Sequence, residues 1–420
     1  MHSANTAAGG RPQEDQGTLT KAILLQIFIL GGGFFFYMLN RFAFPIGLGS
    51  IGKTYGFNAV EISALGTVFL LGQGIIDIPA GYMADHLNRR MLFSVSLFFT
   101  GLTVICFTLF TRGFVSAVSW RIAFGLVEGV FNICLFGTLG ALLPKRRGSL
   151  NTLITLFGGG LVGPVLFSYI FTRVHQWQLP LQIFAAATMV YALVMLFTLR
   201  VERKDSPTRA FHKIPEGETF FRVLKTMATR SATWKAMTIF LFNNITQWGY
   251  AGVGAYMLTK VKGVDIMFAG GVIGTAFGLG PLVQPFLGYT TDRIGRKPVI
   301  VPLSLIVAAS MWVLFASDIV NKPVLLVAAF LSGVGINAIY TLGYTVSQDA
   351  APPHYIGFAT GMTGAVGYFV ASFSGWAIGI VTKYFGHLTA VYGILIGSEL
   401  LVALCAILWI PSKRKLEGQA

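Results

Sequence analysis

Gly81-Tyr-Met-Ala-Asp85-His-Leu-Asn-Arg89-Arg90, set between two apolar runs, decides how this chain is organised. A second version, Gly288-Tyr-Thr-Thr-Asp292-Arg293-Ile-Gly-Arg296-Lys297-Pro298, follows just over two hundred residues later. Gly, Tyr, Asp and Arg recur at the same offsets, and a basic residue closes each copy. Two such stretches in one topological slot mark a doubled unit. Each glycine lets two helix backbones approach, and each aspartate sits at a helix end where it can pair with bases. The clustered Arg and Lys anchor a short turn at the cytoplasmic surface. His86 and Asn88 stand where the second copy has Arg293 and Gly295. Asparagine is the non-glycine residue that best tolerates a left-handed backbone, so the same turn is expected in both copies.

Composition agrees with a membrane setting. Of 420 residues 54% are hydrophobic and only 11% charged, with mean hydropathy +0.70. A soluble domain of this size carries far more charge, whereas a polytopic helical protein does not. The net charge of +15 falls in short clusters between apolar spans, which argues against a nucleic-acid partner and for the positive-inside rule. Cys106, Cys134 and Cys405 all lie in apolar runs and read as packing residues. The first twenty residues lack an apolar core and read as a disordered cytoplasmic tail, not a cleavable signal.

Twelve apolar runs reach the ~20 residues that a bilayer crossing takes. With both termini placed inside, 22 of the 31 Lys and Arg fall in cytoplasmic segments and 7 outside, while Arg41 and Arg121 lie within spans. That bias sets the expected topology. The expected organisation is a tail at 1–21, a six-helix bundle at 22–200, a basic cytoplasmic linker at 201–232 with a short amphipathic helix near Phe220–Met227, a second six-helix bundle at 233–410 and a tail at 411–420.

An ionisable group at mid-bilayer costs at least about 2.5–3.5 kcal/mol, so each one is a functional hypothesis. Arg41, Asp77, Arg121, Glu128 and Glu399 qualify. A guanidinium at Arg41 can grip a carboxylate or phosphate bidentately. Arg121 and Glu128, seven apart, share a helix face. Asp77, one turn before Gly81, is expected to join the bases of the turn. Asn337, Tyr340, Tyr344 and Gln348 wet one face of the tenth span. No metal-ligand spacing or nucleophile with a base is present in the sequence.

The paired decapeptides resemble the loop between the second and third helices of each half in the major facilitator superfamily of secondary transporters. The second copy fits its Gly-x-x-x-Asp-Arg-x-Gly-Arg-Lys pattern position for position. Gly158-Gly159-Gly160-Leu-Val-Gly163-Pro164 is similar to that family's fifth helix. The resemblance covers nearly the whole chain and implies an all-α polytopic membrane protein, twelve transmembrane helices in two pseudo-symmetric bundles. Arg121-x-x-x-Gly125-x-x-Glu128 resembles the anion:cation symporters, in which this glutamate is the expected proton carrier. Those proteins usually place Asp before the first-helix Arg, where this chain has Asn40. Residues 358–368 look like the eleventh helix of organophosphate exchangers, which put a second Arg on the seventh helix. Here Asn243 and Asn244 stand nearby and no Arg does, which favours a monoanionic cargo.

The resulting expectation is a monomeric, cofactor-free, metal-free, proton-coupled symporter of a small organic anion, a carboxylate, in a bacterial inner membrane, both termini cytoplasmic. Its partners are that cargo, protons and lipid. Arg41 binds the anion, with Tyr37, Asn40, Asn243, Asn244, Gln247, Trp248, Asn337, Tyr340, Tyr344 and Tyr368 shaping the pocket, and Glu128 carries the proton. Asp77, Gly81, Asp85, Arg89, Arg90, Arg121, Gly288, Asp292, Arg293, Arg296 and Lys297 form the gates. Anion or organophosphate exchange without net proton movement, drug or siderophore efflux, and a non-transporting receptor stand as alternatives.

Overall fold

A computed structural model describes residues 21–57, 59–142, 144–158, 162–200 and 219–411. The expected tails at 1–20 and 412–420, linker residues 201–218 and Gly159 and Gly160 of the glycine-rich run lie outside the described residues.

The described chain makes twelve crossings. Four single helices come first: α1 (Lys21–Tyr55), α2 (Ala59–His86), α3 (Arg89–Phe110) and α4 (Phe114–Leu142). The fifth crossing is broken into α5 (Arg147–Leu153), a 3-10 turn (Ile154–Phe157) and α6 (Val162–Val174), and α7 (Gln178–Thr198) is the sixth. A short α8 (Phe220–Ala228) precedes α9 (Ser231–Val261). The eighth crossing runs through α10 (Ile266–Gly274), a π turn, a 3-10 turn and α11 (Gln284–Ile294). Then come α12 (Lys297–Met311) with a π turn, α13 (Lys322–Ala350), α14 (Ile356–Ala371) with α15 (Ser374–Phe385), and α16 (His387–Ala390) joined through a π turn to α17 (Gly397–Trp409). Among the described residues, nine helices are long and apolar enough to cross a bilayer unaided.

The breaks have local causes. Gly158 is extended (φ −62°, ψ 118°) and stops the 3-10 turn, since each glycine costs a helix about 1 kcal/mol relative to alanine. The 3-10 turn therefore ends before Gly158, and α6 starts afresh at Val162. Pro281 removes a backbone donor and coincides with the 3-10 turn of the eighth crossing. The two decapeptide turns differ from expectation. Gly295 has φ +97°, but Asn88 is extended (φ −66°, ψ 109°) and accepts a hydrogen bond from Met91 N, capping α3 instead of bending left-handed. An asparagine side chain that satisfies a free helix N–H supplies locally what glycine supplies by conformational freedom.

Helix crossings are closed by missing side chains, as expected where lipid offers no hydrophobic drive. A Cβ on Gly72 of α2 lies 2.5 Å from Ile122 O of α4, and one on Gly101 of α3 lies 2.5 Å from Ala185 O of α7. The same device joins the two sets of crossings. Gly81 of α2 faces Gly357 O of α14 at 2.5 Å from its would-be Cβ, and Gly288 of α11 faces Gly148 O of α5 at 2.5 Å. These two contacts are pseudo-symmetric and lie at one end of the bundle, the end bearing both decapeptides, called here the turn end. α8 lies across that seam. Its buried Val223 and Met227 share an apolar cluster with Tyr355, Phe358 and Met362, and Phe220 sits 5.4 Å from the Tyr82 ring and 6.1 Å from that of Phe358. Trp234 Nε1 of α9 donates to Ala228 O at 2.7 Å and fastens α8 to the helix that follows it.

Candidate functional site

Arg41 is 4% exposed and lies in the middle of α1. Its Nη1 donates to Tyr37 Oη at 2.5 Å, one helical turn back, and stands 3.9 Å from Glu128 Oε2 on α4. Aromatic faces enclose the guanidinium: Trp248 at 4.6 Å, Phe69 at 4.9 Å, Tyr368 at 5.6 Å and Tyr37 at 5.7 Å from ring centroid to Cζ. Two of these rings come from α1 and α2, and two from α9 and α14. Cation–π attraction strengthens when the cation is desolvated. Nη2, however, makes no hydrogen bond, and neither carboxylate oxygen of Glu128 makes one.

Arg41 lines a cavity between the two sets of crossings. Phe34, Met38 and Phe42 join it from α1, Thr155 and Gly158 from the broken fifth crossing, and Phe277, Pro281 and Gln284 from the eighth. Gln247 and Trp248 of α9, Asn337 and Tyr340 of α13 and Tyr368 of α14 complete the wall. Among the described lining residues Arg41 is the only charged one. Thr155 Oγ1 donates to Gln284 Oε1 at 2.6 Å, which aims the Gln284 amide, yet Gln284 Nε2 and Gln247 Oε1 are buried without partners. The wall thus presents a cation, an amide donor and an amide acceptor that the protein leaves unused, between apolar and aromatic faces.

Below the cavity a polar ladder ties the sets together. Asn132 of α4 donates to Tyr344 Oη (3.1 Å) and Tyr368 Oη (3.3 Å), and Tyr340 and Tyr368 share a hydroxyl contact of 2.6 Å. Gln348 donates to Phe136 O at 2.8 Å and accepts from Asn151 at 3.0 Å. At the turn end Asp85 accepts from Gly357 N (2.8 Å) and Phe358 N (2.7 Å) at the start of α14, with Arg89 at 3.7 Å. Asp292 accepts from Gly148 N (3.0 Å), Ser149 N (2.7 Å) and Ser149 Oγ (2.5 Å) at the start of α5. Each decapeptide aspartate is therefore the anion at a helix N-terminus across the seam, where free N–H groups and the helix dipole both favour it. Arg296 bonds Asp292 and Asp349 at 2.5 and 3.1 Å, and Arg147 bonds Asp349 at 2.9 Å. Burial works against the Arg296 charge, but Asp349 and Asp292 outweigh it and hold the guanidinium above its ordinary pKa.

A doubled helical fold, pseudo-symmetric aspartate clasps and a cavity on the seam point to one superfamily, and its profile matches residues 30–375 and 269–420. The chain belongs to the Major Facilitator Superfamily. This facilitator is 21% identical over 430 residues to a probable hexose phosphate transport protein of Chlamydia pneumoniae, with 92% of this chain and 91% of that one covered. A second probable hexose phosphate transport protein, from Chlamydia trachomatis serovar D, is 22% identical over 420 residues, covering 90% and 88%. An uncharacterized transporter of the same superfamily from Methanocaldococcus jannaschii is 22% identical over 390 residues, covering 86% and 96%. Among solved structures the proton:xylose symporter XylE, bound to 6-bromo-6-deoxy-D-glucose, superposes with a TM-score of 0.72 at 14% identity, covering 95% of this chain and 99% of that one.

Several expected site residues of this facilitator stand elsewhere. Asn40 turns away from the cavity, donating to Thr188 Oγ1 of α7 (2.7 Å) and Phe36 O (2.9 Å), because neighbouring residues on α1 point about 100° apart. Asn243 is spent on Ile336 O of α13 at 3.1 Å, and Asn244 accepts from Trp248 Nε1 at 3.1 Å, positioning that ring. Tyr344 is fully buried against Phe136 and Phe240 and belongs to the ladder. Arg121 makes no ion pair with Glu128 among the described contacts. It lies over Phe44 (3.9 Å), Phe69 (4.7 Å) and Phe124 (4.9 Å) and donates to Leu65 O at 3.2 Å, away from the turns. Asp77 does not reach the turn's bases: both its carboxylate oxygens are buried without a hydrogen-bond partner. Arg90 is anchored on Leu196 O of α7, Arg293 lies over the Tyr289 ring at 4.4 Å, and Lys297 opens α12 half-buried.

The clasps allow a prediction. Losing a helix N-terminal acceptor costs about 0.5–2 kcal/mol, so Asp85→Ala or Asp292→Ala should lower the ratio of clasped to open protein about 2- to 30-fold. Spin-label distances across the turn end read this ratio. Distributions indistinguishable from the parent's in both variants remove the clasp assignment.

Proposed function

We propose that this protein is a proton-coupled secondary transporter of a small hydroxylated organic monoanion, a sugar acid or similar carboxylate, working by alternating access of two six-helix halves at 22–200 and 233–410. One observation carries the reading: the single charged side chain lining the described cavity is Arg41, and its Nη2 has no acceptor. A carboxylate on Nη2 gains a charge-assisted bond of the stronger kind. Gln284 Nε2 and Gln247 Oε1 suit hydroxyls further along the cargo, and Trp248 and Phe277 offer faces for its carbon skeleton.

Glu128 supports the coupling. It competes with the cargo for the same guanidinium from 3.9 Å. A proton on Glu128 frees Arg41 for the anion, so cation and cargo load together. The basic turn end is read as cytoplasmic, with both termini on that side of a bacterial inner membrane and the protein working as a monomer. In proteoliposomes Glu128→Gln should lose proton-driven accumulation, at least tenfold, while retaining cargo counterflow. Accumulation at the parent level in that variant overturns the coupling.

The names of the chlamydial relatives favour a second reading, transport of hexose phosphates, for which a dianion would meet only one cation among the described residues of the cavity. Competition for uptake between a hexonate and a hexose 6-phosphate separates the two: the first reading requires the hexonate to win.

A further inference from the structure

We infer that Asp77 is a second proton-binding site, loaded when the turn end closes and emptied when it opens. Asp77 is wholly buried on α2, and neither carboxylate oxygen has a hydrogen-bond partner. Its surroundings explain why. Oδ1 lies 2.6 Å from where a Cβ on Gly129 of α4 would stand, and Oδ2 occupies the corresponding place at Gly364 of α14. The Asp77 carbonyl is pressed against Gly361 one turn earlier on α14. Glycines on two helices have thus made room for a carboxyl group without offering it a donor.

The placement matters because α4 and α14 lie on opposite sides of the seam. α14 covers Asp77 only while the halves touch, through the same glycine contacts that bring Gly81 against Gly357 and Gly361. Closure removes Asp77 from water into a site with no hydrogen bond for a charge, and a buried carboxylate in that condition takes up a proton rather than stay ionised. When α14 withdraws, water reaches the carboxyl and the proton can leave. The groups that face Asp77 do not abolish this cycle. Arg41 approaches from α1, Glu128 from α4 and Tyr344 from α13, while α14 presents only glycine at the contact, with Tyr368 a turn further on. Arg41 is the one cation in this set, and it is already shared with Glu128. An anion bound to Arg41 leaves Asp77 without a counter-charge, so a loaded, closed carrier holds a proton at Asp77 in addition to the one proposed for Glu128. This inference stands whether or not the cargo is a carboxylate, and its site is distinct from Glu128.

The test measures closure against pH rather than transport. With Cys106, Cys134 and Cys405 replaced by Ala, spin labels at Leu87→Cys and Ser231→Cys, both exposed in the parent, report the turn-end separation in proteoliposomes. One linked proton changes the clasped-to-open ratio by about tenfold per pH unit between the group's open-state and closed-state pKa. Raising the pH should open the parent, Asp77→Asn should lose one such tenfold step and remain clasped at high pH, and Glu128→Gln should keep the Asp77 step. Asp77→Ser, smaller and also uncharged, repeats the measurement if the asparagine variant does not fold. A parent ratio that ignores pH, or either Asp77 variant titrating with the parent's slope, overturns the proposal.

Discussion

Replacing Arg41 with alanine should reduce cargo affinity by two to three orders of magnitude and abolish transport, the largest effect expected of any single change in the cavity. Removing one partner of a buried, hydrogen-bonded charge pair costs about 2–5 kcal/mol, which is roughly 30- to several-thousand-fold in affinity. The damage has two parts. The cargo loses Nη2, and Glu128 loses the guanidinium 3.9 Å away and is left as a buried acid short of its nearest cation. These parts separate in a double variant. Arg41→Ala with Glu128→Gln should recover most of the thermal stability lost by Arg41→Ala alone and none of the binding. Arg41→Lys keeps the charge but gives up the planar fork and its stacking on Trp248, so it should bind more weakly than the parent and better than alanine. Thermal shift against a panel of sugar acids, together with uptake, gives both readings. Full binding by Arg41→Ala would place the cargo elsewhere.

Filling the glycine seam should arrest the transport cycle without touching the cavity. A Cβ on Gly81 lies 2.5 Å from Gly357 O, 2.9 Å from Phe358 Cα and 3.1 Å from Gly361 Cα. All three are backbone atoms, which have no rotamer to turn aside, and overpacking of this kind typically costs 1–3 kcal/mol even where neighbours yield. Gly81→Val adds two further methyls at the same place. The expected result is a protein held apart at the turn end, folded and able to bind cargo, with net transport down at least a hundredfold. Spin-label distances across that end should lengthen in Gly81→Val and in its pseudo-symmetric counterpart Gly288→Val. Normal transport by Gly81→Val would mean that α2 and α14 never need to meet this closely.

The sequence made the doubled architecture legible because glycine, aspartate and arginine spaced alike before a new apolar run have few other uses. It also marked Arg41 as the anion site and Glu128 as the proton carrier on different helices, and they lie 3.9 Å apart. What it did not expose was the partner of each aspartate. Asp85 and Asp292 look like acids awaiting bases, yet their strongest contacts are the backbone N–H groups that open α14 and α5, more than 140 residues away. Backbone donors have no residue type and leave no trace in composition. Helical spacing likewise gave a wet face but not its neighbour. Asn40 is adjacent to Arg41 in sequence but points at Thr188, and Tyr344 shares a stripe with Tyr340 but is sealed below the cavity. Thr155, Gly158 and Pro281 entered the wall because their helices break there, and only the glycine run and the proline hinted at it.

α8 gives the empty protein a preference of its own. Being fastened to α9 through Trp234, it must travel with that side when α2 and α14 part, and Tyr82 is then stripped of the Phe220 ring it now touches. Every opening at this end consequently wets greasy surface, a toll set by neither cargo nor acidity. In a carrier that alternates between its two faces, such a latch weights the balance toward the state shut on the side where α8 lies.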